Sequence, residues 1–211
     1  MANCCSTDYR RLFNGKYASR EARRYRTRGL NGSSRALVRL AGDVRGASVL
    51  DVGGGVGAIE LELLAVGAER ATSVELSGGY EEAAAALVAE RGLADRVERH
   101  VADFVADADT IEAHDVVVMH RVICCYPDVD ALVGTAASHA KRRLLVTYPQ
   151  ERPWIRAGLR MMNLWLRLTR CGFRSYAHPV ARIVGAAETQ GLRLEHREQH
   201  GLLWESAAFA R

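Results

Sequence analysis

Asp51-Val52-Gly53-Gly54-Gly55-Val56-Gly57 is the stretch whose reading decides the fold of this 211-residue chain. A short apolar run, residues 47–52, leads into the glycines. Residues 58–66 follow at once with Ile59, Leu63 and Val66 on one helical stripe. A strand that turns on glycines and opens into a helix is built to meet a ligand. Glycine permits the tight turn and lets the backbone approach closely, while the helix start offers unpaired N–H groups. Gly53, Gly55 and Ala58 also satisfy the G-x-G-x-x-G/A pattern of dinucleotide sites, so the turn alone leaves the ligand open.

Outward from the turn, strand and helix alternate. Strands are expected at 71–76, 97–102, 114–119 and 143–148, and helices at 81–91 and 128–140. Short, continuously apolar strands separated by helices imply a parallel sheet covered on both faces. After Pro149 the rhythm changes to a long helix, 154–168, rich in Trp, Met, Leu and Arg, then a helix at 180–189 and strands at 192–199 and 202–209. Only His200-Gly201 separates the last two strands, too little for a crossover helix, so the final strand is expected antiparallel to its neighbour. The fold expected is α/β: a Rossmann-like, doubly wound, seven-stranded sheet with an antiparallel last strand. Residues 1–45 form a helical N-terminal arm, residues 46–211 the main domain, and residues 153–175 a lid helix inserted in it.

The acidic residues around the turn discriminate between cofactors. Glu75, at the end of the second strand, is placed to accept hydrogen bonds from ribose hydroxyls, which a dinucleotide or S-adenosylmethionine would both require. Asp51 would repel a pyrophosphate but suits the cationic amino acid end of S-adenosylmethionine. Asp103-Phe104, beyond the third strand, offers a carboxylate to an adenine amino group and an aromatic face to the ring; Asp103 alone would also serve as a helix N-cap.

These residues carry a resemblance. VLDVGGGVGAIELELLAVGA (49–68), SVEL (73–76), VADF (101–104) and VVVMHRV (116–122) resemble the successive motifs of class I S-adenosylmethionine-dependent methyltransferases. The resemblance implies that Gly53, Gly54 and Gly55 line the methionine part of the cofactor with Asp51. It places Glu75 and Leu76 at the ribose, and Asp103 and Phe104 beside adenine. His120 lies under the cofactor and Tyr25 of the arm folds over it. CYPD (125–128), RRLLVTYP (142–149) and FRSYAH (173–178) are similar in order to magnesium-protoporphyrin O-methyltransferases. The thiols before Tyr126 and the ending LLWESAAFAR depart from that pattern.

Methyl transfer from a sulfonium needs an aligned acceptor, deprotonated where necessary. The candidates lie where the fourth strand ends. His120 is a general base by its ordinary pKa, or a structural hydrogen-bonding residue. Arg121 suits an acceptor carboxylate or a salt bridge, and Tyr126 walls the acceptor pocket or packs. Trp154, Met161, Met162 and Trp165 cover that pocket or belong to the core, and His178 faces the pocket or caps.

Five cysteines stand as Cys4-Cys5, Cys124-Cys125 and Cys171. An odd count in vicinal pairs is no secreted disulfide framework. The four paired thiols instead leave open a metal or soft-metalloid site, and with it a metalloid-binding protein or metalloid methyltransferase.

Net charge is +4, from 29 basic and 25 acidic residues, too small an excess to indicate nucleic acid. Arginines crowd the arm, where Tyr17, Tyr25 and Arg28 are expected to fold over the cofactor. No run is long enough to cross a bilayer, and the N-terminus lacks the apolar core of a secretory signal. The expectation is a cytoplasmic S-adenosylmethionine-dependent methyltransferase that O-methylates a small molecule, without nucleic-acid or membrane partners. A thiol-dependent metal or metalloid protein and an NAD(P)-dependent oxidoreductase are the alternatives.

Overall fold

In the strand Ser48–Val52 all five residues are buried, which only a sheet covered on both faces can achieve. The computed structural model describes residues 6–211, with side chains from Tyr9 onward. In chain order the elements are α1 (Ser6–Leu12), α2 (Gly15–Arg28), α3 (Gly32–Leu40), β1 (Ser48–Val52), α4 (Ala58–Ala65), β2 (Arg70–Glu75), α5 (Glu81–Glu90) and β3 (Val97–Val101). There follow β4 (His114–His120), α6 (Val129–His139), β5 (Ala140–Pro149), α7 (Pro153–Leu168), α8 (Val180–Thr189), β6 (Arg193–His200) and β7 (Trp204–Ala210).

The seven strands lie in the order β3-β2-β1-β4-β5-β7-β6. β1 pairs in parallel with both β2 and β4, so the chain winds outward on one side and then returns to the other. That reversal opens a crevice at the carboxyl ends of β1 and β4, where ligands of doubly wound sheets bind. β7 runs antiparallel to both β5 and β6, as the short His200-Gly201 connection requires.

Side chains alternate between two cores. Leu50, Val52, Val117, Met119, Leu144 and Val146 point to the layer of α6 and α8. Val49, Val116, Val118 and Leu145 point to the layer of α3 and α4. The arm joins this packing: Leu37 of α3 is fully buried, and Ala18, Ala22 and Tyr25 of α2 pack with Leu87 and Val88 of α5. Asn14 and Asn31 cap α2 and α3 through their side-chain oxygens, which fixes where each begins.

From residue 47 onward each element lies within three residues of its place in the sequence reading. Two features differ. α1 is too short for its periodicity to be read. β7 starts at Trp204, because Leu202 and Leu203 stand exposed in the connecting turn. α7 is helical as expected, but only Ile155 and Leu166 of it are buried, so its Trp and Met residues do not form core.

Candidate active site

The glycine turn is held open by its own conformation. Gly53 has φ +66° and Gly55 φ +57°, the left-handed region that favours glycine. A Cβ on Gly53 would lie 2.4 Å from Val122 Cγ2, so the turn and the segment after β4 meet across a gap with no room for a side chain. The turn is tied back to the sheet by Glu75. Its Oε2 accepts from Gly55 N at 3.1 Å and its Oε1 from Ser77 N at 3.0 Å.

Beneath the turn lies a concentration of buried acid. Asp51, Glu60 and Glu75 are all buried, with Arg99 as their cation. Arg99 pairs with Glu60 at 3.3 Å and Glu81 at 3.0 Å, and donates to the Gly55 carbonyl at 2.9 Å. Neither carboxylate oxygen of Asp51 has a hydrogen-bond partner. Burial, then the neighbouring Glu60, pushes Asp51 well above the usual carboxylate range. Burial also lifts Glu60 to about 7 and raises Glu75. Buried carboxyl groups held towards their neutral form suit a cationic ligand group, whose charge would favour their ionisation, and oppose a pyrophosphate.

Asp51 lines a cavity of about 270 Å³ with Gly53, Gly54, Gly55, Glu75, His120 and Arg121 on the sheet side. The arm supplies the opposite wall: Phe13, Tyr17, Glu21, Arg24 and Tyr25. Tyr25 donates its hydroxyl to Glu62 and accepts from Arg91, which fixes the ring. Arg28, the last residue of α2, is exposed and does not line the cavity. A smaller cavity of about 50 Å³ adjoins, lined by Leu76, Asp103, Phe104 and Tyr126. Here Asp103 Oδ1 accepts from Val105 N at 3.1 Å and so closes a turn rather than capping a helix, while the Phe104 ring is largely buried and tilted against His139. Tyr9, Gly53, Glu75, Val122 and Cys125 border both cavities, so the two are one groove.

At the end of β4, His120 Nε2 lies 3.0 Å from Ser33 Oγ of α3. Burial, then the Arg121 charge, pulls its pKa down to about 3, so the ring is neutral at physiological pH and has little affinity for a proton. Arg121 takes φ +61°, donates to Ser33 Oγ at 3.1 Å and lies over the Trp204 ring with 4.5 Å to its centroid. Its Nε is buried without a hydrogen-bond partner. Tyr126 is half-buried, and its carbonyl accepts from His178 Nε2 at 2.9 Å, a latch between residues 124–126 and 176–178.

Asp51, Gly53, Gly54, Gly55, Glu75, Leu76, Asp103, Phe104, Tyr17, Tyr25, His120, Arg121 and Tyr126 therefore border one groove, whereas Arg28, Trp154, Met161, Met162, Trp165 and His178 line neither cavity. Several others were missed. Tyr9, whose hydroxyl reaches Glu75 Oε1 at 3.4 Å, Ser33 and Trp204 are remote from any motif. Arg99 carried one signal, a cation amid the sheet strands beside the acidic residues. Cys124 and Cys125 sulfurs lie 3.7 Å apart, and Cys125 borders the groove. Cys4 and Cys5 lie outside the described residues, among which no group of three His, Cys, Asp or Glu side chains is placed to hold a metal ion.

The family of methyltransferase domains matches residues 17–197, most of the chain. The chain belongs to that family. It is an S-adenosylmethionine-dependent methyltransferase, and the dinucleotide alternative falls with that assignment. Similar solved structures include the magnesium protoporphyrin IX methyltransferase of Synechocystis PCC 6803. With bound SAH it is 21% identical, with a TM-score of 0.75 over 98% of this chain and 99% of that one. With bound SAM it is 19% identical, with a TM-score of 0.70 over 98% and 96%. An O-methyltransferase family protein from Burkholderia thailandensis is 18% identical, with a TM-score of 0.67 over 84% of this chain and 55% of that one. No curated protein matches in sequence. The likeness to solved structures extends the fold agreement to the arm and to the region after β5, at an identity that speaks for fold rather than substrate.

Proposed function

We propose that this methyltransferase transfers its methyl group to a carboxylate oxygen of a small molecule. In this reading the cofactor spans both cavities. Asp51 faces its ammonium group, Gly53, Gly54 and Gly55 line the methionine part, and Glu75 holds the ribose. Leu76, Asp103 and Phe104 border adenine. The arm, residues 1–45, closes the methionine end through Tyr25. Residues 153–175 form the lid, whose Phe173 packs on Tyr9 and Phe13 of the arm. S-adenosylmethionine supplies a methyl group already activated on a sulfonium.

The observation that carries the reading is the pairing of His120 and Arg121. His120, with a pKa of about 3, is a poor base, so the acceptor that suits this site is one already ionised at neutral pH. Arg121 presents a guanidinium with an unpartnered Nε beside the glycine turn, a fork matched to a carboxylate. His120 then acts by holding Ser33 and the ring position, and Tyr126 walls the acceptor side. The similarity along the whole chain to an enzyme named for magnesium protoporphyrin IX supports a small-molecule acceptor.

The test is transfer of labelled methyl from S-adenosylmethionine to a panel of small carboxylic acids, their amides, phenols and amines. Carboxyl methylation yields an ester that releases labelled methanol in mild alkali. A labelled product stable to alkali would overturn the reading.

A further inference from the structure

α7 carries two apolar stripes, and the core uses one of them. Ile155 and Leu166 are buried against the domain, and Leu159 is partly so. At 100° per residue, Trp154, Met161, Leu164, Trp165 and Leu168 form a second stripe on the far side of the 16-residue helix. All five are exposed, from 56% at Trp154 to 74% at Leu168. Leu202 and Leu203, in the turn before β7, are exposed too. Leu203 O accepts from Gln150 N, which brings that turn beside the chain entering α7. Tryptophans and long aliphatic side chains so exposed mark a surface that meets another apolar phase.

Charge identifies the occupant. Residues 151–178 hold six arginines against one acid, Glu151. Arg156, Arg160 and Arg167 share one stripe of α7, between the buried and the exposed apolar stripes, and all three are exposed. Glu151 pairs with Arg156, so the helix keeps a surplus of positive charge. A two-fold contact with a second copy would set this stripe against itself, like charge to like. An anionic bilayer surface satisfies both halves. Trp and Leu enter the acyl boundary while the arginines beside them reach the headgroups.

We propose that α7 docks this methyltransferase on the surface of an anionic lipid bilayer, the helix lying in the interface plane. Such contact differs from a span: among the described residues no helix is long and apolar enough to cross a membrane. The chain leaving α7 packs Phe173 on Tyr9 and Phe13, so the docked helix connects directly to the arm that walls the cofactor cavity.

The test is co-sedimentation of the full chain with phosphatidylglycerol vesicles and, separately, with phosphatidylcholine vesicles. The expected result is binding to phosphatidylglycerol that weakens with added salt, and far less to phosphatidylcholine. Trp165→Glu/Leu168→Glu should lower partitioning about tenfold, and Arg160→Glu/Arg167→Glu by a similar factor, each with unchanged Tm. Wild type left in the supernatant with both vesicles would overturn the proposal, as would Trp165→Glu/Leu168→Glu binding like wild type. So would a wild-type dimer in sedimentation velocity that Trp165→Glu/Leu168→Glu dissociates, since a second copy would then cover the stripe.

Discussion

At the ends of β1 and β2 the groove is made of backbone and buried carboxylates drawn from residues 51–75, continuous in sequence and tied together by Glu75. Beyond β4 it is made of side chains from far-apart segments: Ser33 on α3, His120 and Arg121 after β4, and Trp204 at the start of β7. The first half offers buried carboxyl groups to a cation. The second offers an arginine fork to an anion. The contrast fits a reaction between a sulfonium and a carboxylate, with each partner recognised by the charge it already carries.

The comparison breaks most easily at the glycine turn. Gly53→Val places a β-branched residue at φ +66° and forces Cβ into Val122, so S-adenosylhomocysteine binding should fall below detection in calorimetry, with the fold retained by circular dichroism. Glu75→Ala removes the acceptor of the Gly55 and Ser77 amides. The expected loss in the same titration is about a hundredfold. Arg121→Gln tests the other half alone: kcat/KM for the carboxylate acceptor should drop roughly tenfold to a hundredfold, while S-adenosylhomocysteine affinity stays within about threefold. Equal damage to both would merge the two halves.

Smaller effects sharpen the contrast. His120 is held neutral with a folded pKa of about 3, below its ordinary value, so the folded state binds fewer protons than the unfolded chain between those values. That contribution to stability is present above about pH 6.5 and is lost as pH falls towards 3. His120→Gln should therefore flatten the acid limb of Tm against pH. An unchanged limb would show that the ring is not held in its neutral form. Cys125→Ser should change kcat/KM by about twofold or less, because the substitution keeps a small side chain at the border of the groove.

The first half was legible because its chemistry is local. A strand, four glycines and Glu75 at fixed spacing determine a turn and a cavity, and the structure places Gly53, Gly54, Gly55 and Glu75 within the same groove. The parallel sheet covered on both faces followed from alternation, and the reversed β7 from the length of one turn. The second half depends on tertiary approach. Nothing near Ser33 or Trp204 announces that the fold brings them to residues 120–121, and Tyr9 lies in a helix of seven residues whose periodicity is too short to read. The pKa of His120 was equally hidden. Its ordinary value suggests a base, and only burial beside Arg121 makes it a poor one. α7 was legible as a helix but not in its exposure, because its two apolar stripes look alike until one is seen to be buried.

The account stands on the acceptor arriving ionised, with no base in the site, and the pH dependence of kcat tests this directly. Measured at saturating carboxylate acceptor, kcat should be level from mildly acidic to mildly alkaline pH, with no inflection near the ordinary histidine pKa, in wild type and in His120→Gln alike. An ascending limb centred near neutrality in wild type, and absent from His120→Gln, would make His120 the base and contradict the account.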